Sequence, residues 1–189
     1  MRLFVGVPLD EALARDLGQV AAELRQRVDR HAPRAKLTWV APERLHFTVR
    51  FIGEADERLA AGIRAALAPP LGIAPFDLEV ADPGAFPERG KPRVLWVGVG
   101  AGHDAMVQVE REVTARLTPC GIPPEDRPYS PHLTLARVRE PAGLRARDVI
   151  EGLTGSIGTQ RVAAITLFQS RLSPQGPTYV ALQQTPLAR

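Results

Sequence analysis

Two short segments of the 189-residue chain repeat one pattern of residue types that can do chemistry. The first starts at His46 and reads His-Phe-Thr-Val, and the second starts 86 residues later, at His132, and reads His-Leu-Thr-Leu. Imidazole has an unperturbed pKa of about 6.5, so it can give or take a proton near neutral pH. A pair of histidines can therefore supply the general acid and the general base of one displacement reaction.

The spacing within each segment predicts where its side chains point. Side chains alternate between the two faces of a β-strand, so His46 and Thr48 share one face, and His132 and Thr134 do the same in the second segment. If the two strands lie side by side, two imidazoles and two hydroxyls meet in one groove, where the hydroxyls can donate to phosphate oxygens. One His-x-Thr on a half-buried strand is usually structural, but two copies half a chain apart indicate a site.

A metal site fits these histidines less well. Zinc needs a third protein ligand, often Asp, Glu or Cys, and neither His-x-Thr segment carries one. We therefore expect no metal and no cofactor. The other two histidines, His31 and His103, are expected to be solvated or capping residues near helix ends. Cys120 is the single cysteine, which excludes an intramolecular disulfide.

The composition is that of an ordinary folded domain. Hydrophobic residues make up 44% and charged residues 24% of the chain, which excludes a disordered protein. No apolar run approaches the ~18 residues of a spanning helix, and the first ten residues read as a strand rather than a signal peptide. We expect no membrane segment and a cytoplasmic location. The net charge of +3 permits a phosphate-bearing ligand without demanding one.

Strands and helices are predicted around the two segments. Apolar residues at spacings of three and four from Leu13 to Val28, with Asp10 as N-cap, predict a helix of roughly 18–20 residues. Further helices are expected over residues 55–68, about 103–118 and 145–153. The expected strands are 2–7, 37–40, 45–52, 76–80, 94–99, 133–138, 162–172 and 178–183.

The connections and the tryptophans complete this prediction. Residues 82–92 are expected to be a Gly/Pro loop, and residues 173–177 the turn between the last two strands. Trp39 and Trp96 lie in apolar strands and are expected in the core rather than as platforms for base stacking. Strands that neighbour one another in sequence predict an α+β fold with mostly antiparallel pairing and no linker.

With these motifs, the sequence resembles the two-histidine phosphoesterases. Within them it is similar to the bacterial and archaeal RNA 2′,3′-cyclic phosphodiesterase branch, also called 2′-5′ RNA ligase. The similarity covers essentially the whole chain and is carried by residues 2–7, 45–53, 84–96 and 129–137. It implies a bilobal α+β fold with a pseudo-twofold duplication, antiparallel sheets, outer helices and a central groove. Residues 1–189 are then a single two-histidine phosphoesterase domain made of two lobes.

The resemblance also implies roles for the repeated residues. His46 is expected to protonate the leaving oxygen, and His132 to act as base toward water. Thr48 and Thr134 are expected to bind the phosphate.

Two arginines are candidates for further substrate contacts. Arg137 matches a family arginine associated with the phosphate, although its odd offset from His132 would aim it away from the groove in a regular strand. It must reach the groove from a bend or a strand end, or its role is structural. Arg50 shares the face of His46 in a regular strand, although the family varies at this position.

The implied function is metal-independent hydrolysis of RNA 2′,3′-cyclic phosphate ends to 2′-phosphomonoesters, with reverse 2′-5′ ligation as a secondary activity. One alternative is a phosphodiesterase for 2′-5′ oligonucleotides or small cyclic nucleotides. Another is a noncatalytic RNA-end binder, whose sequence mark would be the loss of one histidine. The expected partners are RNA with 2′,3′-cyclic phosphate ends or related nucleotides, and the chain is expected to be a monomer.

Overall fold

The computed structural model describes residues 1–173 and 176–188, and in these ranges the chain forms nine strands, four α-helices and two 3-10 turns. The strands are β1 (Arg2–Pro8), β2 (Lys36–Trp39), β3 (His46–Glu54), β4 (Phe76–Phe86), β5 (Val94–Val99), β6 (Leu133–Glu140), β7 (Ser156–Val162), β8 (Ala164–Ser173) and β9 (Gly176–Pro186). The helices are α1 (Glu11–His31), α2 (Glu57–Leu67), α3 (His103–Leu117) and α4 (Ala146–Ile150), and the 3-10 turns are Pro42–Arg44 and Thr118–Cys120. The turn expected over residues 173–177 includes Pro174 and Gln175, which lie outside the described residues.

The strands form two sheets. One has four strands in the order β3-β1-β8-β9, and the other has five in the order β2-β6-β5-β4-β7. Every pair of neighbouring strands in these orders is antiparallel. The predicted α+β fold with antiparallel sheets is therefore confirmed.

The two sheets repeat one plan. In spatial order, β3, β1, β8 and β9 correspond to β6, β5, β4 and β7, and β2 is an additional edge strand. Each half runs from a central strand through a long helix to the strand of its His-x-Thr motif. These elements are β1, α1 and β3 in one half and β5, α3 and β6 in the other. The central strands repeat in sequence too: β1 reads Leu-Phe-Val-Gly-Val from Leu3, and β5 reads Leu-Trp-Val-Gly-Val from Leu95. The fold thus has the predicted pseudo-twofold duplication.

Each long helix covers the sheet to which its preceding strand does not belong. Helix α1 follows β1 of the four-stranded sheet but packs against β7 and α4 of the other half. Helix α3 follows β5 of the five-stranded sheet but packs against β3 and α2. As a result, residues of both sheets and of α1, α2 and α3 belong to one buried hydrophobic cluster.

Helix α1 forms where its sequence pattern predicts. The Asp10 carboxylate accepts a hydrogen bond from the backbone N–H of Leu13 at 2.7 Å, which caps the first turn. Its buried residues, Leu13, Leu17, Leu24 and Val28, lie on one face. Its 21 residues slightly exceed the expected length.

The prediction was wrong for the end of β4 and missed β7. Strand β4 continues to Phe86, into the segment expected to be a loop, because an irregularity between Ala81 and Pro83 lets the strand resume pairing with β5. Asp82, at this irregularity, has a φ of 51°. Strand β7 begins at Ser156, but its mostly polar sequence gives little alternation from which to predict a strand.

No helix within the described ranges is both long enough and apolar enough to cross a membrane.

Candidate active site

Both His-x-Thr motifs lie in one groove between the two halves of the fold. His46 is the first residue of β3, and His132 immediately precedes β6. The groove has a volume of about 640 Å³, and its lining includes His46, Thr48, His132 and Thr134. The structure thus brings together the four side chains that the sequence pattern places on two polar strand faces.

The backbone anchors the two imidazoles in the same way. Nδ1 of His46 lies 2.8 Å from the carbonyl oxygen of Arg44, and Nδ1 of His132 lies 2.8 Å from that of Ser130. A carbonyl oxygen can only accept, so Nδ1–H of each ring is the donor. This bond selects the tautomer in which Nε2 is the nitrogen that can exchange a proton with a bound molecule.

Aromatic rings from β1 and β9 of the same sheet pack against His46. Its ring centroid lies 4.8 Å from that of Phe4 and 4.8 Å from that of Tyr179, the latter edge to face. A Cβ at Gly6 would lie 2.8 Å from the Phe47 carbonyl oxygen and 3.5 Å from the His46 ring. The absence of a side chain at Gly6 therefore lets β1 approach this end of β3.

His132 has corresponding aromatic neighbours in the other half. Phe86 lies edge to face with its ring, at a centroid distance of 5.1 Å, and Trp96 lies at 6.3 Å. The indole of Trp96 lies over Gly84, where a Cβ would come within 2.3 Å of a ring carbon. A glycine is therefore required beneath the indole.

The surroundings of His46 favour its neutral form. Burial lowers the pKa of the His46 imidazole, and the positive charge of Arg137 lowers it further. The hydrogen bond to the Arg44 carbonyl acts in the opposite direction but is outweighed. Burial also raises the pKa of the Tyr179 hydroxyl, which therefore stays protonated near neutral pH.

A β-bulge interrupts the alternation of β3 just after its motif. Gly6 pairs with Thr48 and Val5 pairs with Arg50, so Val49 has no partner in β1. Both Val49 and Arg50 are buried, although adjacent residues of a regular strand face opposite sides. The bulge turns Arg50 away from the polar face of the strand.

Strand β6 has a bulge at the corresponding place. Trp96 pairs with Thr134 and Leu95 pairs with Ala136, so one residue between Thr134 and Ala136 is unpaired. The bulge shifts the alternation by one residue and directs Arg137 into the groove. This resolves the odd offset in the sequence, since Arg137 reaches the groove through an irregularity in the strand.

Arg50 does not line the groove, so the prediction that it shares the face of His46 was wrong. Its side chain is only 4% exposed, and a guanidinium nitrogen donates to the carbonyl of Pro123. Phe51, the next residue, lines the groove instead, with the Arg2 guanidinium 5.0 Å from its ring centroid. Phe51 corresponds by position to Arg137 in the other half.

The groove is strongly cationic. Its lining includes four arginines and, among the residues that the structure describes, no aspartate or glutamate; the arginines are Arg2, Arg44, Arg137 and Arg139. The Arg139 guanidinium is held by a 3.2 Å hydrogen bond from Nε to the hydroxyl of Thr38. Such a lining suits an anionic ligand, because arginine remains charged and can contact two phosphate oxygens at once.

Sequence reasoning missed most of the groove residues that lie outside the motifs. Trp39 was expected in the core but lines the groove, with the Arg25 guanidinium 5.2 Å from its ring centroid. Trp96, also expected in the core, is half-buried beside His132. The Leu-Phe-Val-Gly-Val and Leu-Trp-Val-Gly-Val repeat is the signal that could have placed Phe4 and Trp96 beside the two histidines.

The remaining titratable candidates lie outside the groove. His31 ends α1 and is exposed, and His103 begins α3, where its Nδ1 lies 3.2 Å from the Asp104 carboxylate. Cys120 is a half-buried free cysteine. In the described part of the chain, no three His, Cys, Asp or Glu residues are grouped so that they could hold a metal ion.

The two imidazoles, one from each half of the duplicated fold, can transfer protons to and from a bound phosphate ester. The two threonine hydroxyls and the four arginines can hold the negative charge of that ester. The fold and the groove together have the architecture of a two-histidine phosphoesterase.

Comparison with known proteins agrees with this class. A family model described as the 2′-5′ RNA ligase superfamily matches residues 9–171. An RNA 2′,3′-cyclic phosphodiesterase of Aeropyrum pernix is 39% identical over 151 residues, which cover 79% of this chain and 85% of that protein. One of the same name from Methanothermobacter thermautotrophicus is 32% identical over 189 residues, 97% of each chain. The crystal structure of TT0787 of Thermus thermophilus superposes with a TM-score of 0.80 at 28% identity, over 99% of this chain and 98% of that one. The chain belongs to the 2′-5′ RNA ligase superfamily.

Proposed function

We propose that the protein hydrolyses RNA 2′,3′-cyclic phosphate ends to 2′-phosphomonoesters. The observation that carries this proposal is the matched pair of imidazoles, each anchored through Nδ1 to a backbone carbonyl and each with Nε2 left to act in one cationic groove. The names of the relatives from Aeropyrum pernix and Methanothermobacter thermautotrophicus support the same reaction.

The two histidines take opposite roles in the proposed reaction. Nε2 of His132 accepts a proton from water as the water oxygen attacks phosphorus. The bond between phosphorus and the 3′-oxygen breaks, and Nε2–H of His46 gives its proton to that oxygen. The products are a 2′-phosphomonoester and a free 3′-hydroxyl. In-line attack requires the two imidazoles to lie on opposite sides of the phosphate.

Hydroxyls and a guanidinium hold the phosphate during this reaction. Thr48 and Thr134 donate to the non-bridging oxygens, and Arg137 supplies positive charge where negative charge develops. These donors come from the protein itself, so we propose a reaction that needs neither a metal nor a cofactor.

Substrate binding prepares His46 for its role as acid. In the free protein the lowered pKa of His46 favours the neutral ring. A bound phosphate brings a negative charge next to this ring, which raises its pKa and favours the protonated form. Protonation of the acid is thus coupled to the arrival of the anion on which it acts.

The test is hydrolysis of a nucleoside 2′,3′-cyclic monophosphate in buffer that contains EDTA. Phosphorus NMR identifies the product, and we expect the 2′-phosphate isomer alone. A 3′-phosphate product would overturn the assignment of the leaving oxygen. Loss of activity in EDTA with recovery in zinc or manganese would overturn the proposal of metal independence. A nucleoside 3′,5′-cyclic monophosphate is the matched control for specificity toward the 2′,3′-cyclic ring.

The same groups support 2′-5′ ligation at a lower rate, with the 5′-hydroxyl of a second RNA end in place of water. His132 accepts the proton of that hydroxyl as its oxygen attacks phosphorus, the bond between phosphorus and the 3′-oxygen breaks, and His46 gives its proton to the 3′-oxygen. Joining RNA ends into a 2′-5′ linkage competes with water, which is present in large excess. We expect ligation to be detectable only at high concentrations of RNA ends, as a product resistant to a 3′-5′-specific nuclease.

A further inference from the structure

A buried arginine lies behind the strand that carries His46. Arg50 is 4% exposed, and no other charged residue in the described part of the chain is buried. The bulge in β3 directs it away from the groove, toward α3 and the segment that follows the Thr118–Cys120 turn. Burying a guanidinium is costly unless its charge is compensated, so its partners identify what it holds in place.

Arg50 joins three parts of the chain. One terminal nitrogen of its guanidinium donates to the backbone carbonyl of Pro123. The other lies 3.4 Å from the Glu125 carboxylate and 3.9 Å from that of Glu110 in α3. Arginine suits such a position because its planar group has five donors and is always charged.

The segment that Arg50 contacts has few other attachments. Residues 123–128 are all exposed, and only near its far end does the segment meet the interior, through the half-buried Tyr129 and the buried Pro131. Within residues 123–131, and among the described residues, two backbone groups have a hydrogen-bond partner: the carbonyl of Pro123, bound by Arg50, and the carbonyl of Ser130, bound by His132.

We propose that Arg50 is a positioning residue for His132. It fixes the beginning of the segment whose far end, the Ser130 carbonyl, orients the His132 ring. The strand that carries one histidine thereby controls the tautomer and the direction of the other. This inference rests on the proposed function, in which His132 is the base.

The groups around Tyr129 strengthen this link. Burial and the negative charge of Glu110 raise the pKa of the Tyr129 hydroxyl, which stays neutral. Arg50 supplies the positive charge facing Glu110, so its removal leaves a half-buried carboxylate beside this hydroxyl. Because such a change can also destabilise the fold, the test includes a variant that keeps the charge.

The experiment compares Arg50→Met and Arg50→Lys with the wild type. Lysine keeps the charge, but its single nitrogen cannot bind the Pro123 carbonyl and both carboxylates together. We expect Arg50→Met to lower kcat by roughly tenfold to a hundredfold through misplacement of His132. Arg50→Lys is expected to lower kcat less. KM stays within about twofold of the wild-type value, because the phosphate donors are untouched.

Nitrogen-15 NMR of labelled histidines reports the tautomer of His132, which turnover measurements do not reveal. In the wild type, His132 is expected in the single tautomer with the proton on Nδ1. In both Arg50 variants, we expect a mixture of tautomers at His132 and an unchanged signal at His46.

Arg27→Met is the matched control. The Arg27 guanidinium also binds backbone carbonyls, those of Glu151 at 2.7 Å and Val149 at 3.4 Å, but it does not line the groove. Its loss is expected to lower the unfolding temperature without changing kcat or the His132 tautomer.

Wild-type kcat and a single His132 tautomer in folded Arg50→Lys would overturn the proposal, as would an equal fall of kcat in Arg27→Met. If the wild type hydrolyses no cyclic phosphate, the proposed function fails, while the His132 tautomer still decides the role of Arg50.

Discussion

The proposed mechanism depends on the imidazoles of both groove histidines. We expect His46→Ala and His132→Ala each to lower kcat by ~10²–10⁴-fold, the usual cost of losing a general acid or base. Neither ring is fully buried, so the unfolding temperature should change little. Steady-state kinetics on a nucleoside 2′,3′-cyclic monophosphate and thermal unfolding measure the two effects. Normal turnover by either folded variant would remove the two-histidine mechanism.

The motif threonines are expected to contribute less than the histidines. Thr48→Val and Thr134→Val each delete one hydroxyl donor to a charged group while keeping the side-chain shape. Such a bond is worth roughly 1.5–3 kcal/mol, which corresponds to a fall in kcat/KM of about tenfold to more than a hundredfold. Thr159→Val, on the exposed surface of β7, is the control. Equal kinetics in all three variants would show that the motif hydroxyls do not hold the phosphate.

The lowered pKa of His46 sets the pH dependence. The acid must be protonated, so kcat/KM falls as the pH rises through the free-protein pKa of His46, which lies below its usual value of 6.5. The bound phosphate raises this pKa, so the kcat profile should extend to higher pH than the kcat/KM profile. Both profiles are expected to be bell-shaped, because one histidine must be protonated and the other neutral. The pKa value read from each limb belongs to the coupled pair of histidines and not to one of them alone. A single limb that rises past pH 9 would indicate hydroxide attack instead.

A variant of Arg137 tests independently why the pKa of His46 is lowered. The positive charge of Arg137 lowers the pKa of His46, so Arg137→Met should raise that pKa in the free protein. An NMR titration of His46 measures the change directly. Arg139→Met removes another groove arginine and should shift the His46 pKa less. A larger shift in Arg139→Met would mean that a different charge controls His46.

At the scale of elements, the sequence predicted most helices and strands but not the bulges. Periodic apolar residues placed α1 correctly, and the strict alternation around each motif placed β3 and β6. A bulge leaves no mark in the alternation of types, because Val49 and Arg50 read as one apolar and one polar residue like any regular pair. The faces predicted from regular alternation therefore failed beyond each bulge. Arg50 was expected on the groove face but lies behind β3, and Arg137 reaches the groove through the bend that its odd offset required.

Gly84 tests how far packing within β4 and β5 supports the site. A Cβ at this position would lie 2.3 Å from the Trp96 ring, so Gly84→Ala must displace the indole. We expect a loss of roughly 1–3 kcal/mol in stability from overpacking, a changed tryptophan emission, and a lower kcat. Gly62→Ala is the matched control, because it lies in α2 with no atom within 4 Å of the added Cβ. That variant should gain about 0.5–1 kcal/mol. Wild-type emission in Gly84→Ala would mean that the indole position is not set by this contact.

At the scale of the whole molecule, the two long helices join the two halves, because each packs on the sheet of the opposite half. Because α1 and α3 each cover the opposite sheet, neither sheet keeps its full core without the other half. We expect a single cooperative unfolding transition, with far-ultraviolet circular dichroism and tryptophan fluorescence coinciding in urea. Two separate transitions would show that the lobes fold independently. The expected monomeric state remains a prediction that sedimentation can check.

The departures from the twofold repeat have a directional consequence. A groove of perfect twofold symmetry would accept a bound diester equally well in either of two opposed directions, and its two histidines would be interchangeable. Here Phe51 occupies the place that Arg137 holds in the other half, and β2 has no counterpart. Under the proposed function, the polarity of a nucleic-acid strand in the groove therefore depends on residues outside the repeated motif, and so does the choice of which histidine gives a proton and which takes one.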